Sequence, residues 1–269
     1  MISVTAANSD VPVILLVGGM GTRMGADAGE LPKHLVPVGG RPILWHVMRL
    51  YSHFGFNEFV FPLGARGESF RRYFLEFRSL NFPLQVELGT ENSSSADAVG
   101  PETMWKVNLF DAGLATNKGS RVRQAAARGE AERFMVTYGD GIGDVDIAAL
   151  LAFHRKHGRL ATVTGYQPLS QYGMLDVNSE GLVQEMREKP RLPQWINCGF
   201  MVFDRAALSY FGSDNGVDLE KDVLPRLVAD GQLVMYRHTG YWASMDTFKD
   251  AQVLSDAWDA GAPWKLWAE

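Results

Sequence analysis

Cysteine is almost missing from this sequence: Cys198 stands alone. An intrachain disulfide and a cysteine-built zinc site are thereby excluded, and the default setting is the cytoplasm. No apolar run approaches membrane-spanning length, so no membrane partner is expected. Residues 1–10 are polar and acid-ended, without the basic start and apolar core of a secretory signal, and the apolar stretch that follows is interrupted by Pro12. A basic excess is also lacking. The formal net charge is -5, which argues against a general nucleic-acid surface but leaves room for a local basic cluster around one nucleotide. The six histidines never fall at His-x-x-x-His spacing; His154 and His157 are expected at a solvated helix C-terminus, where cations are favoured. No nucleophile-elbow Gly-x-Ser-x-Gly occurs, and no Gly-x-x-x-x-Gly-Lys-Ser/Thr phosphate loop. The dinucleotide pattern fails too, since counting from Gly19 puts Met24 where its last glycine belongs.

What is present is an α/β rhythm. The 269 residues, 46% of them apolar and 21% charged, suit one large domain or two small ones and bury a substantial core. Residues 13–17 are a continuous apolar run, expected as a buried strand. Apolar residues at 43, 44, 47, 48 and 51 predict a helix over 42–54 that stops at Gly55. A strand is expected at 58–63, a short helix at 68–77, strands at 84–88 and 106–111, an exposed loop over 90–102, and a basic helix at 120–128. A strand at 134–138 and a helix at 147–157 closed by Gly158 complete the first half. The second half is expected to hold strands at 160–167, 173–177, 183–187 and 196–203, a helix at 219–229, a strand at 233–237 and a last helix at 247–257. Asn178 to Gly181 mark a hairpin turn. With no repeat and no clear linker, the simplest reading is a single domain over 1–269. The change of rhythm divides that domain into two halves, 1–158 and 159–269. The alternation predicts a Rossmann-like, mostly parallel mixed sheet flanked by helices, with an antiparallel extension in the second half.

In such sheets ligands bind beyond the carboxyl ends of strands, and polar residues cluster at those ends. Gly18, Gly19, Gly21, Thr22 and Arg23 follow the first strand, and Lys33 comes soon after. Glycine amides can wrap an anion, and a forked guanidinium suits phosphate. The competing reading of the loop alone is a plain glycine-rich βα turn. Asp140, between Gly139 and Gly141, is placed either to hold Mg²⁺ or to make a turn. Asp144 and Asp146 form an Asp-x-Asp pair, and Asp144 is read first as the cap of the next helix. Glu188-Lys189-Pro190 is by itself an exposed charge pair, with Pro190 imposing an extended Lys189. Asp246 in isolation is a helix N-cap, or the neighbour of a Thr247 cap. Cys198 is expected as a small buried residue. Trp105 is either an intersubunit anchor or part of its own core.

Together these pieces resemble the sugar-1-phosphate nucleotidyltransferases, most closely the glucose-1-phosphate cytidylyltransferases. The resemblance runs from Pro12 to Trp258 and rests on Gly-Gly-Met-Gly-Thr-Arg (18–23), Pro-Lys (32–33), the Trp45-His46 segment, Asp-Ala-Gly-Leu (111–114), Tyr-Gly-Asp-Gly (138–141), Glu-Lys-Pro (188–190), Asn-Cys-Gly (197–199) and Met-Asp-Thr (245–247). It implies transfer of a nucleotidyl group from a nucleoside triphosphate, CTP favoured, to a sugar 1-phosphate, glucose 1-phosphate favoured. Mg²⁺ is the implied cofactor and a homo-oligomer the implied assembly. Arg23, Lys33, Asp140, Lys189 and Asp246 are implied as catalytic, with Asp140 and Asp246 holding the metal. Leu16, Gly18, Gly19, Gly21, Thr22, Arg23, Lys33, Gly139 and Asp140 are implied for the nucleotide. Tyr138, Gly173, Glu188, Lys189, Asn197 and Gly199 are implied for the sugar phosphate. The chain departs from the family pattern at His34, over 24–31, at Cys198 and at Gln171-Tyr172, which leaves other bases and other sugar phosphates open. A metal-dependent glycosyltransferase using Asp144-x-Asp146 and a non-catalytic nucleotide-sugar-binding regulatory module are the alternatives of a different kind.

Overall fold

The computed structural model describes residues 10–18, 31–82, 84–86, 93–95 and 100–268. It opens with β1 (Val13–Leu16), followed by the short hairpin β2 (Pro37–Val38) and β3 (Arg41–Pro42), helix α1 (Ile43–His53), β4 (Glu58–Leu63) and α2 (Gly67–Asn81). A second hairpin, β5 (Leu84–Val86) with β6 (Ser93–Ser95), precedes β7 (Lys106–Asp111), α3 (Lys118–Ala126) and β8 (Arg133–Tyr138). Next come β9 (Gly141–Gly143), α4 (Ile147–His157), β10 (Ala161–Tyr166), and the hairpin β11 (Met174–Val177) and β12 (Val183–Arg187). The described chain ends with β13 (Ile196–Asn197), β14 (Met201–Asp204), α5 (Leu224–Ala229), β15 (Leu233–His238), β16 (Trp242–Ser244) and α6 (Phe248–Asp259).

Among the described residues eight strands form the central sheet in the order β13-β10-β14-β8-β1-β4-β7, with β15 beside β10. Strands β8, β1, β4 and β7 run parallel, while β14 and β10 bring in the antiparallel pairs. The mixed sheet and its antiparallel second half are as expected. Strand β1 is buried throughout, so both its faces need cover. Alternation along the strand divides the work. Val13 and Leu15 join Phe59, Phe61, α1 and α4 in one core, and Ile14 and Leu16 join Val60, Phe134, α3 and α5 in the other. Each fully buried phenylalanine or leucine here contributes about 1.5–3 kcal/mol of hydrophobic stabilisation.

Helix α1 lies deeper than its apolar spacing suggests. His46 and Arg49 are buried with the rest of Ile43–Tyr51. The C-terminal tryptophans supply the missing cover: His46 packs edge-on against Trp258 and Trp264, and the Arg49 guanidinium sits 5.3 Å over the Trp267 ring.

Several elements depart from expectation for identifiable reasons. The predicted strand over 196–203 is two strands, because Gly199 (φ +84°) and Phe200 (φ +50°) turn the chain between them. The predicted helix over 219–229 begins as a five-residue π-type turn, Leu219–Val223, capped by Asp218. Pro225 near the start of α5 has no N–H to continue the ladder of that turn. The expected loop at 90–102 contains β6, whose serines carry no hydrophobic alternation to betray it, and a 3₁₀ turn, Pro101–Met104. Helix α2 outruns its predicted 68–77. His154 is not solvated: it is buried, with Nδ1 2.8 Å from Thr162 Oγ1 and Nε2 3.3 Å from Asp204. The end of α4 packs over β10 and β14, and His157 Nε2 reaches the same Thr162 hydroxyl at 2.7 Å. Trp105 is half-buried in its own chain, edge-on to Phe59 at 5.8 Å.

Candidate active site

Strands β1 and β8 are parallel neighbours, with Leu16 paired to Tyr138. Their carboxyl ends therefore deliver Val17-Gly18 and Gly139-Asp140 to one place. The fit is close at Gly139, where a Cβ would come within 2.7 Å of Val17 Cγ1 and 3.0 Å of the His34 ring. Pro32 leads into a 3₁₀ turn, Lys33–Leu35, that buries His34 and Leu35. The same turn directs Lys33 over Asp140. Leu16, Gly18, Lys33, Tyr138 and Asp140, with Val17, His34, Lys118 and Arg121, line a cleft of about 190 Å³.

Asp246 reaches this cleft from the far end of the sequence. Strands β9 and β16 form a short antiparallel ribbon, with Gly141 opposite Ser244, and the Met245 amide donates to the Asp140 carbonyl at 2.9 Å. Asp140 immediately precedes the ribbon, and Asp246 lies two residues beyond its other strand. Lys33 Nζ forms ion pairs with both, lying 3.0 Å from Asp246 Oδ1. Burial disfavours the charged amine, but the Asp140 and Asp246 carboxylates outweigh it and hold the Lys33 pKa above its ordinary value.

Two hard carboxylates converging on one cation form a donor set suited to Mg²⁺. Here the Lys33 ammonium already stands between them. Among the described residues no group of three or more His, Cys, Asp or Glu could enclose a metal. Mg²⁺ commonly binds through one or two carboxylates and completes its shell with water and substrate phosphate, so the arrangement fits.

The Tyr138 hydroxyl donates to Glu220, whose other oxygen pairs with Lys118 at 2.6 Å. Burial, then Glu220, raises the Tyr138 pKa well above its usual range, so it stays a neutral donor. Gly199 lies against the Tyr138 ring, and its amide donates to Asn197 Oδ1 at 3.1 Å. Glu188 and Lys189 follow the end of β12, exposed, with their charges 4.0 Å apart. Gly173 sits beside Glu188. Lys189 is not extended: its φ is +45°, because loops 167–170 and 190–193 are tied by Ser170 N–H to Pro190 O and Leu192 N–H to Pro168 O, forcing a sharp turn. The site residues thus fall into three groups: Lys33 with Asp140 and Asp246, Tyr138 with Asn197 and Gly199, and Gly173 with Glu188 and Lys189. Among the described residues Lys189 pairs with Glu188 and makes no ion pair with the Lys33 group. Gly19, Gly21, Thr22 and Arg23 lie outside the described residues.

The remaining acids and the cysteine have structural work. Asp146, not Asp144, caps α4, accepting from the Ala149 amide at 2.8 Å. Asp144 accepts instead from the Tyr241 amide at 2.6 Å, so Asp144-x-Asp146 is not a paired metal ligand. Thr247 caps α6 in a capping box with Asp250, leaving the Asp246 carboxylate to Lys33. Burial pushes the Cys198 thiol up to about 12, which makes it a packing residue.

Arg121 and Lys118 were not legible as site residues. Arg121 is buried at the strand ends, where it donates to the carbonyls of Pro62, Gly113 and Thr116. One signal was available. Cations in the first turn of α3 oppose the helix dipole, and that position needs an acceptor or an anion nearby. A larger cavity, about 340 Å³, lies at the opposite strand ends around Ile14, Val60 and Phe110. It lacks the converging charges, and the carboxyl ends are where ligands bind in such sheets.

Residues 12–258 match the family model described as Nucleotidyl transferase, and the chain belongs to that family. It is 35% identical over 255 residues to a probable glucose-1-phosphate cytidylyltransferase of Bacillus subtilis (strain 168), covering 94% of this chain and 99% of the relative. It is 36% identical over 261 residues to the glucose-1-phosphate cytidylyltransferase of Salmonella typhimurium, covering 94% and 98%. In fold it is similar to the crystal structure of HddC from Yersinia pseudotuberculosis, with a TM-score of 0.67 at 19% identity over 92% of this chain and 99% of that one. Among the described residues no helix is long and apolar enough to cross a membrane.

Proposed function

We propose that this enzyme transfers a cytidylyl group from CTP to glucose 1-phosphate, releasing pyrophosphate and forming a nucleotide sugar. The convergence of Lys33, Asp140 and Asp246 beyond the carboxyl ends of β1 and β8 carries this reading. The names of the two relatives supply the base and the sugar.

Backbone amides around Gly18, Gly19 and Gly21, with Thr22, Arg23 and Lys33, hold the triphosphate. Asp140 and Asp246 hold one Mg²⁺, which when bound neutralises charge on the reacting phosphates. Lys189 grips the sugar phosphate, and Tyr138, Gly173, Glu188, Asn197 and Gly199 meet the sugar. The sugar-phosphate oxygen attacks the α-phosphorus in line, the bond to the β-phosphate bridging oxygen breaks, and pyrophosphate leaves. A phosphate monoester is already anionic near neutral pH, so this chain needs no strong general base. Positioning and charge neutralisation supply most of the rate. The 269 residues act as one domain, in a cytoplasmic homo-oligomer.

CTP and UTP differ by an amino-to-carbonyl swap that inverts donor and acceptor, and hydrogen-bonding sites discriminate such pairs well. Measuring kcat/KM for pyrophosphate release across four nucleoside triphosphates and several sugar 1-phosphates should show CTP with glucose 1-phosphate ahead. A purine preference would overturn the assignment of the base.

A further inference from the structure

The register of the β9–β16 ribbon fixes where Asp246 stands relative to Asp140. Only three residue pairs make that ribbon: Gly141 with Ser244, Ile142 with Ala243, and Gly143 with Trp242. So short a two-stranded ribbon, with two glycines in one strand, is weak by itself. A slip of one residue would turn every side chain of the slipped strand to the opposite face. Asp246, next but one to that strand, would then move away from Lys33.

The far end of the ribbon is clamped by a single carboxylate. Asp144 N–H donates to the Tyr241 carbonyl at 3.2 Å, and the Tyr241 amide returns a 2.6 Å bond to Asp144 Oδ1. His238, buried at the end of β15, places Nε2 3.1 Å from the same Oδ1 and 2.9 Å from the Tyr241 carbonyl. The turn between His238 and Tyr241 wraps Asp144 so closely that a methyl group on Gly240 would collide with its carboxylate. The central sheet, through β15, thus holds the end of the ribbon opposite the reacting groups.

We propose that Asp144, locked by His238 and the Tyr241 amide, is a positioning residue that sets the β9–β16 register and with it the spacing of Asp140 and Asp246. This rests on Asp140 and Asp246 being the metal-holding pair. Neither Asp144 nor His238 touches substrate in this account.

The test uses the full-length enzyme without substrate and has two readouts. One is Mn²⁺ affinity, from the loss of free-ion signal in electron paramagnetic resonance. The other is hydrogen exchange at the Met245 amide, whose partner is the Asp140 carbonyl. Asp144→Ala should weaken Mn²⁺ binding by about tenfold or more, the range seen for residues that orient metal ligands, and should deprotect Met245. Asp144→Asn keeps an acceptor oxygen for Tyr241 and should hold both readouts near wild type. Wild-type Mn²⁺ affinity and Met245 protection in Asp144→Ala would overturn the proposal. If Asp144→Ala loosens β1 and β8 as well, His238→Gln decides: weaker Mn²⁺ binding with normal exchange in β1 and β8 supports the clamp, and unchanged binding overturns it. A wild-type protein that binds no Mn²⁺ overturns the metal assignment instead. The clamp then stands or falls on whether Asp144→Ala deprotects Met245.

Discussion

Lys33 Nζ lies 3.0 Å from Asp246 Oδ1, across 213 residues of sequence, and the same ammonium pairs with Asp140. Three segments that share no local pattern therefore contribute one charge each to a single point. The lysine offsets the repulsion of two carboxylates, and in the proposed mechanism it meets the incoming triphosphate. Lys33→Ala should lower kcat/KM by about 10²–10³, the scale for removing one electrostatic stabiliser of a transition state, with little change in Tm. A loss below tenfold in steady-state kinetics would take Lys33 out of the catalytic set.

Lys189 should serve the sugar phosphate and not the nucleotide. Lys189→Ala should raise the KM for sugar 1-phosphate or lower kcat while nucleotide binding holds. Loss of one charge-assisted phosphate contact implies on the order of 1.5–3 kcal/mol, roughly ten- to a hundredfold. A variant that bound sugar phosphate normally and lost only nucleotide would reverse the assignment.

His46 should make stability fall in mild acid. Its Nε2–H donates to the Val38 carbonyl at 2.9 Å, and Nδ1 accepts from Trp264 Nε1 at 3.4 Å, so the ring is neutral in the fold. Burial pushes its pKa down to about 4, against an ordinary 6.5. Between those values the unfolded chain takes up a proton that the folded one refuses. The stabilisation is complete above pH 6.5 and is lost progressively as pH falls toward 4. Tm measured across this range should drop less steeply in His46→Gln, which keeps a donor and an acceptor but does not titrate. Equal slopes would mean that His46 is not responsible.

The chain should self-associate. Met104, Leu75 and Leu80 are large exposed apolar residues. Light scattering at micromolar concentration should give a multiple of the 29.8 kDa chain mass. A monomer would refute it.

Strand β1 and helices α1 and α4 were legible because their apolar spacing carries through to burial, and Gly158 marked the end of α4 with its φ of +63°. The ribbon that joins Asp140 to Asp246 was not. Its strands of three residues carry no periodicity, and the pairing spans about a hundred positions. In isolation Asp246 looked like a cap because Thr247 and Asp250 do form one immediately after it. Resemblance, not spacing, selected it. Asp144 was misread for a related reason: a carboxylate just before a helix suggests a cap, yet the helix took the next acid, Asp146, and Tyr241 arrived from the distant turn before β16. The burial of His154 depended on Asp204 and Thr162, which local sequence could not supply.

The central claim is that Asp140 and Asp246 act as one Mg²⁺-dependent unit in nucleotidyl transfer. The most direct measurement is the rate of pyrophosphate release from CTP and glucose 1-phosphate as Mg²⁺ is titrated, for wild type, Asp140→Asn and Asp246→Asn. Wild type should require the metal, and each variant should fall by about 10³ or more while keeping its Tm within a few degrees. Metal-independent turnover, or near-normal activity in either folded variant, would contradict the account.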